Sequence, residues 1–153
     1  GKVPEAQLDV RGNIKCDGVV RPYTCAFAAY ATAGSNASTS GIFPAENVHF
    51  NIGNCYDTST YEFTAPVHGI YYMSFSAFTN TGANSSSRIY ALINGSVVEQ
   101  VGATIEQHGN SLSLTVEMQL GDTFHFNGGS GVPIYYYAAS GHNRFSGHLI
   151  CAL

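Results

Sequence analysis

The sequence feature that most constrains the fold of this chain is the alternation of apolar and polar residues with a period of two. From Ser111 to Leu120 every second residue is apolar, which predicts a strand with one buried face. The residues of that face are Leu112, Leu114, Val116, Met118 and Leu120. Two further β-prone runs, Arg88–Ile93 and Ser96–Ile105, flank Asn94-Gly95, the dipeptide typical of a two-residue type I′ hairpin turn. These patterns predict an all-β fold.

The segment Gly69–Phe78 differs from its neighbours because both of its faces carry apolar side chains. This pattern is typical of a central strand that is covered on both sides. The first strand is predicted at Thr24–Thr32 and the last at Phe145–Cys151. About ten short strands separated by turn residues predict a β-sandwich. Four polar segments are predicted to be loops or turns: Gly34–Ser40, Asn80–Ser87, Gln107–Asn110 and Gly128–Asn143.

Charged residues are rare, at 10% of 153 residues, against roughly 25% in an average soluble domain. A single copy would therefore expose much neutral surface, and we expect part of it to be buried between subunits. The net charge of −4 gives no basic surface for nucleic acid. No apolar run reaches the about 20 residues that cross a bilayer, so no membrane insertion is predicted.

Three sequons and four cysteines favour an extracellular protein. The predicted glycosylation sites are Asn36, Asn84 and Asn94. The cysteines are Cys16, Cys25, Cys55 and Cys151, an even number that fits two disulfides and allows three pairings. No Cys or His spacing indicates a zinc site.

The spacing of Asn51, Tyr56, Phe63, Gly69 and Tyr71 resembles the signature of the complement C1q globular-domain family. The resemblance covers residues 22–153 and leaves 1–21 as an N-terminal extension. One departure is that a tyrosine, at position 61, replaces a turn glycine that is common in the family.

The resemblance implies a ten-strand jelly roll in two sheets, shared with the tumour-necrosis-factor ligands, and a trimer. In that topology the first strand runs antiparallel to the last, so the expected disulfides are Cys25 with Cys151 and Cys16 with Cys55. Two alternatives are a local Cys16–Cys25 loop and a bridge between subunits through Cys16.

Catalysis is not predicted. The chain contains no nucleophile-elbow motif and no identifiable pair of carboxylates for glycoside hydrolysis. Its six histidines are scattered, and His125 and His148 alternate with apolar strand residues, so they are predicted at surface or interface positions.

The family topology gathers the four polar loops at the end of the domain opposite the termini. Their amides, imidazoles and phenol rings could bind sugars, since sugars need planar polar groups for hydroxyls and aromatic faces for C–H surfaces. The predicted ligand-binding residues are His108, Asn110, Tyr135, Tyr137, His142, Asn143 and Arg144. The tyrosines of 135–137 could instead line the trimer axis or the core. Arg144 could bind an anionic group or pair with Glu106. The one cofactor that the resemblance suggests is calcium, and carboxylates are few in these loops.

The resemblance, together with the composition of these loops, implies a secreted, trimeric glycan-binding protein of innate immunity, a lectin for microbial or cell-surface carbohydrate. Its weak sites would act through multivalency. A calcium- or matrix-associated structural protein and a receptor-binding ligand are the alternatives.

Overall fold

A computed structural model describes residues 25–32, 37–39, 41–78, 85–105, 109–128, 134–136 and 143–153. These residues contain strands and turns, and no helix among them is long and apolar enough to span a membrane. The strands are β1 (Ala26–Tyr30), β2 (Ala37–Thr39), β3 (Asn47–Ile52), β4 (Tyr56–Asp57), β5 (Glu62–Thr64), β6 (Gly69–Phe78), β7 (Ser85–Ile93), β8 (Ser96–Ile105), β9 (Gly109–Met118), β10 (Thr123–Gly128), β11 (Ile134–Tyr136) and β12 (Arg144–Ala152).

Two five-stranded antiparallel sheets form a jelly-roll sandwich. The first sheet has the order β3-β1-β12-β6-β9 and the second the order β4-β5-β10-β7-β8, while β11 and β2 form a separate pair. We call the end where β1 begins and β12 ends basal, and the opposite end apical. The predicted all-β jelly roll is confirmed.

The strongest local predictions are confirmed. Asn94 and Gly95 have φ angles of 50° and 76°, as a type I′ turn requires, and they join β7 to β8. On β9 the predicted face points inward as far as Met118, which is buried. The prediction that Leu120 belongs to this buried face is wrong. β9 ends before Leu120, whose side chain lies in the following turn and is 72% exposed.

Two of the segments predicted as loops contain a complete strand, and the other two contain the first residues of β7 and β9. Ala37–Thr39 lies within predicted loop 34–40, and Ile134–Tyr136 lies within predicted loop 128–143. These two strands pair with each other, with Ser38 opposite Tyr135. Because the partners are about a hundred residues apart in the chain, neither segment shows a local pattern that predicts the pairing.

Aromatic rings fill the space between the sheets. Phe145 of β12 is 1% exposed, and its ring lies edge-on to Phe27 at 4.8 Å and to Phe126 at 5.0 Å between centroids. Such edge-to-face pairs are favourable beyond the apolar area they bury. The other fully buried rings include Phe43, Phe63, Phe75 and Phe124.

The signature residues hold the basal part of the sandwich together. The side-chain amide of Asn51 donates to the Tyr56 carbonyl oxygen at 2.8 Å and accepts from the backbone N–H groups of Cys55 and Tyr56 at 3.0 and 3.2 Å. The Tyr56 hydroxyl donates to the Ala45 carbonyl oxygen at 3.0 Å, and burial raises the pKa of this phenol far above its usual value. These residues therefore serve the fold.

The remaining signature positions are also structural. The Tyr71 hydroxyl donates to the Val67 carbonyl oxygen at 2.7 Å, and Phe63 is fully buried. A Cβ atom at Gly69 would lie 2.6 Å from the carbonyl oxygen of Cys151, so only glycine fits there. Tyr61 has a φ of 62°, which explains why glycine suits this position in the family and implies local strain here.

The expected disulfides are wrong: Cys25 is bonded to Cys55, with Cα atoms 6.4 Å apart, and both side chains are buried. The reason is a β-bulge in β12. Leu149 is opposite Tyr71 but Cys151 is opposite Ile70, so the chain gains one residue at Ile150. The extra residue turns Cys151 to the outer face, where it is a free, exposed thiol, away from the inward-pointing Cys25. Since Cys55 is occupied, Cys16 cannot pair with it either, and Cys16 lies outside the described residues.

Candidate functional site

The outer side of the first sheet is a neutral, partly aromatic surface that nothing in the described chain covers. Along β6 the side chains alternate strictly, with Tyr71, Met73 and Phe75 in the core and the residues between them facing outward. The registers of β1, β3, β9 and β12 extend this outer face sideways. We call it the open face. Its members include Ala26, Ala28, Tyr30, Phe50, Ile52, Ile70, Tyr72, Ser74, Ser76, Ser111, Ser113, Thr115, Glu117, Arg144, Ser146 and His148.

The open face carries little charge, and that charge lies at its two ends. Arg144 is opposite Ser76 at the apical end, while Glu117 is opposite Ile70 at the basal end and contacts His68 at 2.8 Å. Between these ends the central rows consist of small, hydroxyl and aromatic side chains. Central strands with a bare neutral face fit contact with a second protein surface better than exposure to water.

A shallow groove of about 400 Å³ crosses the open face between β3 and β6. Phe50, 47% exposed, forms one side, and Tyr72 and His148 form the other, with their rings 5.5 Å apart. Ala28 and Ser146, two small residues, form the floor. An inserted side chain of a partner could fill such a groove.

The predicted apical ligand residues do not form one cluster. Asn110 is buried opposite Ala77 in the first sheet, and Asn143 is fully buried, with its carbonyl oxygen accepting from the Ala31 N–H at 3.3 Å. Arg144 is exposed and faces outward on the open face beside Tyr72 and Ser146. The strand alternation between Asn143 and Arg144 turns their side chains to opposite sides of the sheet.

The rest of the predicted ligand set lies at or beyond the limits of the described residues. His108, Tyr137 and His142 lie outside them, as does Glu106, the alternative partner of Arg144. Tyr135 belongs to β11 and pairs through its backbone with Ser38 of β2. The apical ligand site therefore stays a prediction.

The two histidines predicted at surface or interface positions have different surroundings. His148 is exposed on the open face. His125 is only 6% exposed, and its Nδ1 lies 3.1 Å from a Glu62 carboxylate oxygen on the neighbouring strand β5. Its prediction as a surface residue is wrong, because the cross-strand neighbours of β10 cover the imidazole.

Of the three predicted glycosylation sites, only Asn94 lies in the described residues. Its side-chain nitrogen donates to Asp122 at 2.8 Å and its oxygen accepts from the Thr123 N–H at 2.9 Å, which links two basal turns. The hydrogen bonds from Asn94 and from the Gln119 N–H lower the pKa of the Asp122 carboxyl group. Glycosylation at this residue stays a prediction.

Calcium binding also stays a prediction. In the described part of the chain no three His, Cys, Asp or Glu side chains lie close enough together to hold a metal ion. Asp57 accepts from the N–H and hydroxyl of Ser59, both at 2.7 Å, which is a local turn contact that lowers the pKa of its carboxyl group.

Sequence reasoning missed the open face as a site, although it predicted that neutral surface would be buried between subunits. Phe50, Tyr30 and Tyr72 come from three different strands and share no sequence motif. The outward set on β6, with Tyr72 between Ile70 and Ser74, was the available signal, since a strand that is apolar on both faces needs a cover on both.

The profile of the C1q domain family matches residues 26–150. No curated protein matches the chain in sequence. Among solved structures, the chain is similar to the globular domain of zebrafish complement 1qA protein, with a TM-score of 0.67 and 16% identity over 86% of this chain and 100% of that one.

Two further structures share the architecture. Murine APRIL at pH 5.0 has a TM-score of 0.65 and 6% identity, over 84% of this chain and 100% of that chain. Eiger TNF from S. frugiperda has a TM-score of 0.62 and 6% identity, over 85% of this chain and 93% of that chain. At these identities the similarity shows the fold alone.

Proposed function

Because the chain belongs to the C1q domain family, we propose that it is an extracellular recognition domain, not an enzyme, which forms trimers through the open face and binds glycans at its apical end. The observation that carries the proposal is the bare outer side of β6 and β12. These strands lie inside the sheet, yet Tyr72 and His148 have no cover in the described chain.

Burial of the open face would remove neutral and aromatic surface from water at little electrostatic cost. Apolar burial is worth about 25 cal/mol per Å². Few charged groups would lose their hydration, because Arg144 and Glu117 lie at the ends of the face, where an interface is usually polar. Burial of the open face between subunits would also explain why the whole chain contains few charged residues.

Replacing Tyr72 with glutamate should convert the trimer into single chains. The carboxylate would be buried between copies without a partner, which costs several kcal/mol. Light scattering at micromolar concentration would then report 16.3 kDa for the variant and three times that mass for the unmodified protein.

Val98→Glu is the matched control, since Val98 is an exposed apolar residue on the second sheet. It should leave the trimer intact. A single-chain mass for the unmodified protein, or a trimeric Tyr72→Glu variant, would contradict the proposed association.

Two arguments support glycan binding: the residue composition of the apical segments, and the gain in apparent affinity when several weak sites bind one surface together. Linked weak sites gain roughly 10² to 10⁴ in apparent affinity when they engage one surface together. Three copies in a trimer would bring their apical ends to one side, so a repetitive carbohydrate surface is a suitable target.

A glycan array with the trimer and with the Tyr72→Glu variant tests this mechanism. We expect selective binding by the trimer and a signal at least roughly tenfold weaker for the single chain. An equal response to all sugars, with and without calcium, would reject glycan binding and favour a protein receptor as the ligand. Binding only with calcium would show that the predicted calcium site exists.

A further inference from the structure

The second sheet carries a group of polar side chains on its outer side. Ile89 and Ala91 of β7 point into the core, so Arg88 and Tyr90 point outward. Tyr90 is opposite Gln100 on β8 and opposite Asn127 on β10. We call Arg88, Tyr90, Gln100 and Asn127 the Arg88 platform.

The platform lies near the middle of β7 and β8, with Arg88 on its apical side. Ile105, the last residue of β8, is opposite Ser85, and β9 begins four residues later at Gly109, opposite Phe78 of β6. Since β6 runs from the basal to the apical end, the first residues of β7 and the last of β8 are apical.

Arg88 is an exposed cation that makes no ion pair with any residue the structure describes. Four of the six Lys and Arg residues precede residue 25, and only Arg88 and Arg144 follow it. Both ion pairs in the described part of the chain are His–Glu contacts, so neither arginine meets a carboxylate there. Arg88 instead donates from Nη1 to the Tyr90 hydroxyl oxygen at 3.2 Å. That contact holds the guanidinium beside the phenol ring and leaves its other donors available.

The space around the guanidinium is open on one side. The residue opposite Arg88 on β8 is Gly102, which has no side chain to cover it. On the other side of Tyr90, the half-buried Asn127 has a buried Oδ1 without a hydrogen-bond partner. An unsatisfied buried acceptor is costly, so a rotation that turns this oxygen towards a ligand hydroxyl would break no hydrogen bond of the oxygen.

We propose that the Arg88 platform binds a sugar that carries an anionic group, a carboxylate or a sulfate ester. The guanidinium pairs with the anion through two parallel hydrogen bonds, the Tyr90 ring contacts the C–H face of the sugar, and the amides of Gln100 and Asn127 bind its hydroxyls. This inference rests on the proposed glycan-binding function and specifies the ligand class and the surface.

The platform and the open face belong to different sheets of the sandwich, on its two outer sides. Association through the open face therefore leaves the platform accessible. A trimer presents three platforms, which fits the multivalent mechanism.

Calorimetric titration of the intact protein with methyl glucuronide, glucose 6-sulfate and the neutral methyl glucoside tests the proposal. We expect at least one anionic sugar to bind roughly tenfold more tightly than the neutral one, because charge-assisted hydrogen bonds are about twice as strong as neutral ones. Arg88→Gln should remove that preference, and Arg88→Lys should restore only part of it, since lysine lacks the planar fork. The two anionic arms distinguish carboxylate from sulfate.

Gln119→Ala is the control, since Gln119 is an exposed polar residue at the basal end whose backbone N–H takes part in the turn. It should bind as the unmodified protein does. Equal affinity for charged and neutral sugars, or a preference that survives Arg88→Gln, would overturn the platform while leaving glycan binding elsewhere intact. If no sugar binds in either this titration or the array, the proposed function itself fails.

Discussion

Phe145→Ala is expected to lower the free energy of unfolding by about 4 kcal/mol. The ring is 1% exposed and lies among four other rings, those of Phe27, Tyr56, Phe124 and Phe126. Its removal loses the transfer free energy of the side chain and leaves a cavity that two packed sheets cannot close. Three of the contacts are edge-on, so their electrostatic attraction is lost as well.

Urea unfolding at one fixed protein concentration measures this change, since association would otherwise shift the midpoint. Ile150→Ala on the same strand is the control, because Ile150 is 53% exposed at the bulge. It should cost less than about 1 kcal/mol in the single-chain Tyr72→Glu background. A loss below about 2 kcal/mol for Phe145→Ala would show that this ring does not lie in the centre of the core.

The double substitution of Cys25 and Cys55 by alanine should lower the free energy of unfolding by about 3.5 kcal/mol. The disulfide closes a loop with a sequence separation of 30. In the chain-entropy description, opening a loop of that length gives the unfolded chain about 12 cal/mol/K of additional entropy. Both sulfur atoms are also buried against the aromatic core, so their removal adds a packing loss of the same sign.

Cys151→Ala is the matched control, since this thiol is exposed and free. It should leave the stability of the single chain within about 0.5 kcal/mol. Digestion without reduction should yield a peptide pair that joins Cys25 to Cys55. A Cys25–Cys151 pair, or a loss of stability from Cys151→Ala equal to that of the double variant, would contradict the structure.

The fold could be predicted from sequence because the patterns that indicate it are local. Alternation on β9, the Asn94-Gly95 turn and the spacing from Asn51 to Tyr71 each describe a few neighbouring residues. The structure shows why that spacing identifies the fold: Asn51 closes its own loop, and Gly69 permits β12 to pass close by.

The candidate sites were harder to predict from sequence. The ligand residues proposed from sequence were chosen for their chemistry and their place in apical loops. The structure separates Asn110 and Asn143, which are buried, from Arg144, which faces outward. The Arg88 platform could not be predicted from sequence, because Arg88, Gln100 and Asn127 come together only through the pairing of three strands.

The sequence by itself determined that this chain forms an all-β sandwich of the C1q type with little surface charge, since strand periodicity and turn chemistry act between residues close in the chain. Only the tertiary structure decided which cysteines pair, which sheet face is bare and which polar groups share a surface. Each of these depends on strand register, and one additional residue at Ile150 reverses the direction of every side chain that follows it in β12. Register arises from packing between distant segments, and no short stretch of sequence contains that information.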